Sequence, residues 1–97
     1  MKITIPKDSG TIYFIRVDGK NQIKIGWTTH GHHKKRLTSL QTGNPEKLIL
    51  LAISENQKKE KEQELHKKFS HLRIRNEWFE LTEELLEYMK RNSVRVW

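Results

Sequence analysis

Residues 24–36, KIGWTTHGHHKKR, hold four Lys or Arg and three His beside one Trp and two Gly. Three chemistries suit such a stretch: a metal held by imidazoles, a loop that holds phosphate, or a solvated basic surface. His30, His32 and His33 lack a helical four-residue spacing and have no acidic neighbour in sequence, which argues against a dedicated metal site. Lys34, Lys35 and Arg36 open a helical segment, where backbone N–H groups already favour phosphate. The stretch therefore reads as a phosphate-facing loop, with His33, Lys34 and Lys35 as nucleic-acid contacts. A second group lies further on. Glu62 and His66 are four residues apart on the edge of the stripe formed by Leu65, Phe69 and Leu72. The exposed faces of that helix already have Lys and Glu in number, so charged residues beside the core-facing stripe suggest work other than solubility.

These side chains need elements to hold them. TIYFIRV (11–17) and QIKIGW (22–27) are rich in β-branched and aromatic residues and flank Asp18-Gly19, a strong hairpin signal. Ile23 and Ile25 share one face, and Lys24 points to the other with Gln22. KKRLTSLQTG (34–43) is a short helix with Leu37 and Leu40 on one face and Gly43 as its stop. KLILLAISE (47–55) is an apolar run of strand length, expected as a central strand buried on both faces. Residues 56–72 form a helix with Asn56 as N-cap. RIRNEWFEL (73–81) is a loop or short strand. Its Trp78 and Phe79 are assigned to the core rather than to a base-stacking platform, and Glu77 either joins the site or braces Arg73 or Arg75. Thr82 caps a last helix, with Glu83 and Glu84 at its start and Lys90 and Arg91 at its end. Leu81 and Leu86 fit a hydrophobic staple. The tails KITIP (2–6) and SVRVW (93–97) alternate with period two, and either pair with each other or extend the sheet. The expected fold is one α+β domain over 1–97, a three-stranded antiparallel-type sheet flanked by helices.

Composition narrows the function. Ninety-seven residues suit a single core. The net charge of +7 points to a polyanionic partner. No apolar run approaches the length of a spanning helix and no signal-peptide pattern follows Met1, so a cytoplasmic protein with no membrane role is expected. The absence of Cys removes disulfides, thiolate metal sites and a Cys nucleophile.

Several of these residues together resemble the GIY-YIG endonuclease superfamily, in its small phage and bacterial branch with KIG and EWF motifs. The residues that carry the resemblance are T-I-Y-F-I before a hairpin, K-I-G-W-T closing the second strand, K-R-L-T-S-L in the first helix, E-Q-E-L-H-K-K-F in the next, and then N-E-W-F. They span about residues 11–81. The resemblance implies a metal-dependent endonuclease acting on DNA. Tyr13 matches the first-motif Tyr, Arg36 the Arg that contacts the scissile phosphate, and Glu62 the metal-binding Glu. Lys24 stands in the place of the second-motif Tyr, and Leu40 where His or Tyr is common.

The chemistry of phosphodiester hydrolysis agrees with such a set. It needs a deprotonated water, neutralised phosphate charge and a stabilised leaving oxygen. Mg²⁺, or Mn²⁺, typically takes only one or two protein carboxylates, so Glu62 alone suffices as metal ligand. Arg36 offers a planar fork to phosphate oxygens. Tyr13 can orient the water or relay its proton. Lys24 is expected on phosphate, or as a base if its pKa is strongly lowered. His66 has three readings: a group supporting a ligand, a proton donor to the leaving group, or a helix-capping His. Lys67, with Lys58, Lys59, Lys61 and Lys68, extends the basic surface. No small-molecule cofactor is expected. A chain this short is expected to have modest sequence specificity, or to take it from an oligomer or a targeting partner. The competing expectation is a nucleic-acid-binding module of the same fold without catalysis, motivated by Lys24.

Overall fold

The computed structural model describes residues 9–95. Strands β1 (Ser9–Val17) and β2 (Gln22–Thr29) form the expected hairpin, in register from Gly10 opposite Thr29 to Arg16 opposite Ile23. Gly19 takes a φ of +76° in the connecting turn, a conformation that its missing Cβ makes accessible. Helix α1 (His33–Thr42) follows and leads into β3 (Leu48–Lys58), which pairs antiparallel with the other side of β1. Helix α2 (Glu60–Lys68) and one 3₁₀ turn (Ser70–Leu72) precede a small hairpin, β4 (Arg73–Arg75) and β5 (Trp78–Glu80). Helix α3 (Glu83–Asn92) and β6 (Val94–Arg95) complete the described chain.

The sheet has six strands in the order β4-β5-β2-β1-β3-β6, all neighbours antiparallel, rather than the three expected. The added strands hold two or three residues each, too few for a period to emerge from sequence. Of the two tails, Val94 and Arg95 extend the sheet beside Ala52 and Ile53, whereas KITIP lies outside the described residues.

Alternation along β1 divides the core. Ile12 and Phe14 face α2 and α3 with Ile23, Leu65, Phe69 and Met89. Tyr13, Ile15 and Val17 face α1, where Leu37 and Leu40 pack on them. Each fully buried side chain of this kind contributes roughly 1.5–3 kcal/mol. β1 is buried on both faces along its length. β3 is so only over its first half, as expected there, with Leu51 and Ala52 in one cluster and Leu48 and Leu50 in the other, and its burial fades after Ala52. Asn56 does not cap a helix. β3 runs on to Lys58, and residues 55 and 56 together lie opposite Thr11 in a bulge. Asn56 has a φ of +57° there, a left-handed conformation that Asn tolerates better than most residues. The Thr82 cap is as expected, its side chain accepting from the Leu85 N–H at 3.4 Å.

Candidate active site

β5 pairs with β2 only over Gln22, Ile23 and Lys24. Beyond that point the outward backbone groups of β2 need other partners. Ile25 N–H donates to the Glu77 carbonyl at 3.0 Å. The Ile25 carbonyl accepts from His66 Nε2 at 2.9 Å, which requires the proton on that nitrogen. The Trp27 backbone N–H lies near enough to the Glu62 carboxylate to favour its charged form. Side chains of α2 thus close the open edge of β2, and this explains why Glu62 and His66 border the apolar stripe. Both are buried.

This edge is where the two faces of the sheet meet. From the α1 face Lys24 reaches Glu77, Nζ to Oε2 at 2.7 Å, and its Nζ lies 5.8 Å from the centre of the Trp78 ring. From the other face Glu62 comes within hydrogen-bonding reach of Glu77. His66 Nε2 is 3.9 Å from Glu62 Oε1, too long for a hydrogen bond, and its ring packs on Phe79 with centroids 5.2 Å apart. His66 is therefore a clamp between helix and strand, and its Nε2 is committed to a carbonyl.

The acids differ in charge preference. Burial first, then the shared proton and the charge of Glu77, push Glu62 up to about 7. Burial would raise Glu77 too, but the Lys24 hydrogen bond and charge outweigh it and hold that carboxyl below its usual range. So the pair carries one firm negative charge and one that appears only near neutrality.

Tyr13 is buried on β1, opposite Gly26 of β2. A Cβ at residue 26 would lie 2.3 Å from Tyr13 Cζ and Oη, so only Gly allows the ring to lie there. Arg36 Nε donates to Tyr13 Oη over a long 3.5 Å. That bond raises the guanidinium pKa further, and Arg36 stays charged. Arg36 is exposed and lines a hollow of about 270 Å³ with Thr28, His32, Lys35 and Ser39. The hollow lies over the first turns of α1, where the sequence placed phosphate. Lys34 is exposed in the same turn, and His33 is half-buried. His32 Nδ1 meets Thr29 Oγ1 at 2.6 Å, and among the described residues no three His, Asp or Glu side chains converge as a metal site.

The fold thus brings Lys24, Glu62 and His66 together around Glu77, with Tyr13 and Arg36 joined to each other through Gly26's clearance. It does not bring in Lys67, which is exposed on α2 across the sheet from α1. Glu77 is the residue that sequence reasoning left undecided. Its clue was Asn76, which takes a φ of +51° at the β4–β5 turn and turns the next residue back toward β2.

A buried Glu beside a half-buried one, fringed by Lys and Arg on a basic α+β domain, is the equipment of a nucleic-acid-processing protein. The chain belongs to the T5orf172 domain family, whose family model matches residues 10–93. This family is associated with nuclease-type activity and with DNA. The match overturns the GIY-YIG assignment, because the family that covers nearly the whole chain is a different one. The departures at Lys24 and Leu40 are where the borrowed motif and this chain part. No curated protein and no solved structure matches the chain significantly. Among the described residues no helix is long and apolar enough to cross a membrane.

Proposed function

We propose that the chain is a metal-dependent endonuclease that hydrolyses DNA phosphodiester bonds at the Glu62–Glu77–Tyr13–Arg36 edge of β2. The observation that carries this is Glu62: a buried carboxyl placed against a second carboxylate, pushed up to about 7 and ready to exchange its proton for a cation. Oxygen donors from Glu62 and Glu77 suit Mg²⁺ or Mn²⁺, which keep most of their waters. When bound, such an ion would polarise a phosphate oxygen and ease departure of the leaving oxygen. The chain's own residues do the rest. Arg36 neutralises the phosphate from the hollow beside α1. Tyr13, whose oxygen accepts from Arg36, keeps its own O–H to orient the attacking water and relay its proton. Lys24 fixes Glu77 and has further N–H donors for phosphate. His66 positions α2, and hence Glu62, against the strand.

A second reading is a DNA-binding module without catalysis. What favours it is the Lys24–Glu77 ion pair, which ties up two of the site's charged groups. Cleavage of supercoiled, linear, branched and single-stranded DNA separates the readings, run with Mg²⁺, Mn²⁺ and chelator on wild type and Glu62→Ala. The proposal expects metal-dependent cutting that the substitution abolishes while DNA binding survives. Salt-sensitive binding with no cutting by either protein would select the second reading. Cutting that survives Glu62→Ala would refute the role of Glu62.

A further inference from the structure

A second hollow, also about 270 Å³, lies on the same face of the sheet as Lys24. Its walls are Trp78 and Ile74 from the β4–β5 hairpin, Val17 at the end of β1, and Gln22 on β2. Asn44 and Arg75 supply its polar rim. Glu46 also lines it, but is ion-paired with Lys20 at 2.8 Å. Gln22 and Lys24 alternate onto one face of β2, so the hollow begins about 7 Å from the acid pair's anchor, roughly one nucleotide step of an extended strand.

Three features point to a ligand rather than to incidental surface. Ile74 is 51% exposed although it is a large apolar side chain. Trp78 packs in part on the Tyr13 and Val17 cluster but stays half-buried, and its indole N–H makes no hydrogen bond among the described residues. The donors around it are unspent. Asn44 uses its Oδ1 to accept from the Glu46 N–H at 2.9 Å, which leaves its amide N–H groups, and neither Gln22 nor Arg75 has a side-chain partner among the described residues. A flat aromatic wall, an apolar floor and free amides are the parts that hold a base by stacking and edge hydrogen bonds.

We propose that this hollow is a nucleobase subsite. It takes one unpaired base of the DNA strand whose backbone passes the acid pair, with Trp78 stacking on the base and Arg75 meeting the adjoining phosphate. This rests on the reading of the chain as a DNA-processing protein and adds to it a preference for substrate with an unpaired base. Arg36 and Lys35 would hold phosphate on one side of Lys24, and Trp78 would hold the base on the other.

The test uses two single-stranded probes of about twelve nucleotides, oligothymidylate and an abasic chain with the same phosphates, titrated by fluorescence anisotropy in chelator. The wild type is expected to bind oligothymidylate roughly tenfold more tightly than the abasic chain. Trp78→Leu should erase that preference and leave abasic affinity unchanged. Ile74→Ser changes a half-exposed lining residue without adding charge, and should erase the preference as well if Trp78→Leu fails to fold. Equal affinity of the wild type for both probes, with binding still weakened by salt, would overturn the subsite and leave the DNA-processing reading standing. No binding of either probe, nor of a duplex or branched DNA of similar length, would overturn both.

Discussion

Glu62 carries the most chemistry of any single residue here, and its protonation has a thermodynamic signature. Its pKa in the fold is about 7 against an ordinary 4.5, so the fold prefers the protonated form. Its favourable contribution is therefore complete below about 4.5 and is lost as pH rises through about 7. Glu77 shifts the other way. Its contribution is present above the ordinary carboxylate range and is lost only as pH falls through its lowered value, so the two windows do not overlap. Thermal melts in chelator should show wild type losing stability relative to Glu62→Gln between about pH 5 and pH 8. A flat difference would refute burial as the source of the shift. A divalent cation held by Glu62 favours the carboxylate, so added Mg²⁺ should raise the melting temperature of wild type more at about pH 8 than at about pH 5. Glu62→Gln should show no such pH-dependent gain.

Among the elements, the β1–β2 hairpin sets the geometry around Tyr13. Gly26 matters there through space, because Tyr13 occupies the volume a Cβ would fill. Gly26→Ala should push the Tyr13 ring off its place, destabilise the fold by about 1–3 kcal/mol in urea titration, and lower cleavage more than DNA affinity. Unchanged cleavage would show that the ring's position is irrelevant to turnover. Much of this hairpin was legible: Asp18-Gly19 announced the turn, and alternation put Lys24 on the face opposite Ile23 and Ile25. The stripe of Leu65 and Phe69 likewise put Glu62 and His66 at its border. What stayed hidden was what they border. An open strand edge is created by the shortness of β5, and no local pattern encodes where a three-residue strand stops pairing. Glu77 lies 53 residues from Lys24 in sequence, so their ion pair exists only once the sheet is assembled. Asn56 misled for a physical reason: the same short polar side chain that suits a helix cap also suits the left-handed residue of a bulge.

At the scale of the whole molecule the question is whether the charge of +7 acts as a diffuse attraction or as a footprint. The two faces of the sheet decide it. Lys35 stands beside Arg36 over the α1 hollow, whereas Lys67 is exposed on α2, across the sheet. Removing either lowers the net charge by the same amount. If DNA lies along the α1 face, Lys35→Ala breaks a phosphate contact. The slope of log affinity against log salt should then fall by about 0.7–0.9. Lys67→Ala should leave the slope unchanged and lower affinity at low salt only slightly, because a charge beyond about 10 Å from the backbone is screened at 0.1 M. Equal changes in the two variants would mean that the field of the whole molecule, and not one face, meets the DNA. The acid pair itself argues for the footprint. Two carboxylates at the centre of the site repel a phosphate chain unless cations flank them closely. Lys24, Arg36 and Lys35 are on that face, so under the proposed function the charge that binds DNA is also the charge that quiets Glu62 and Glu77.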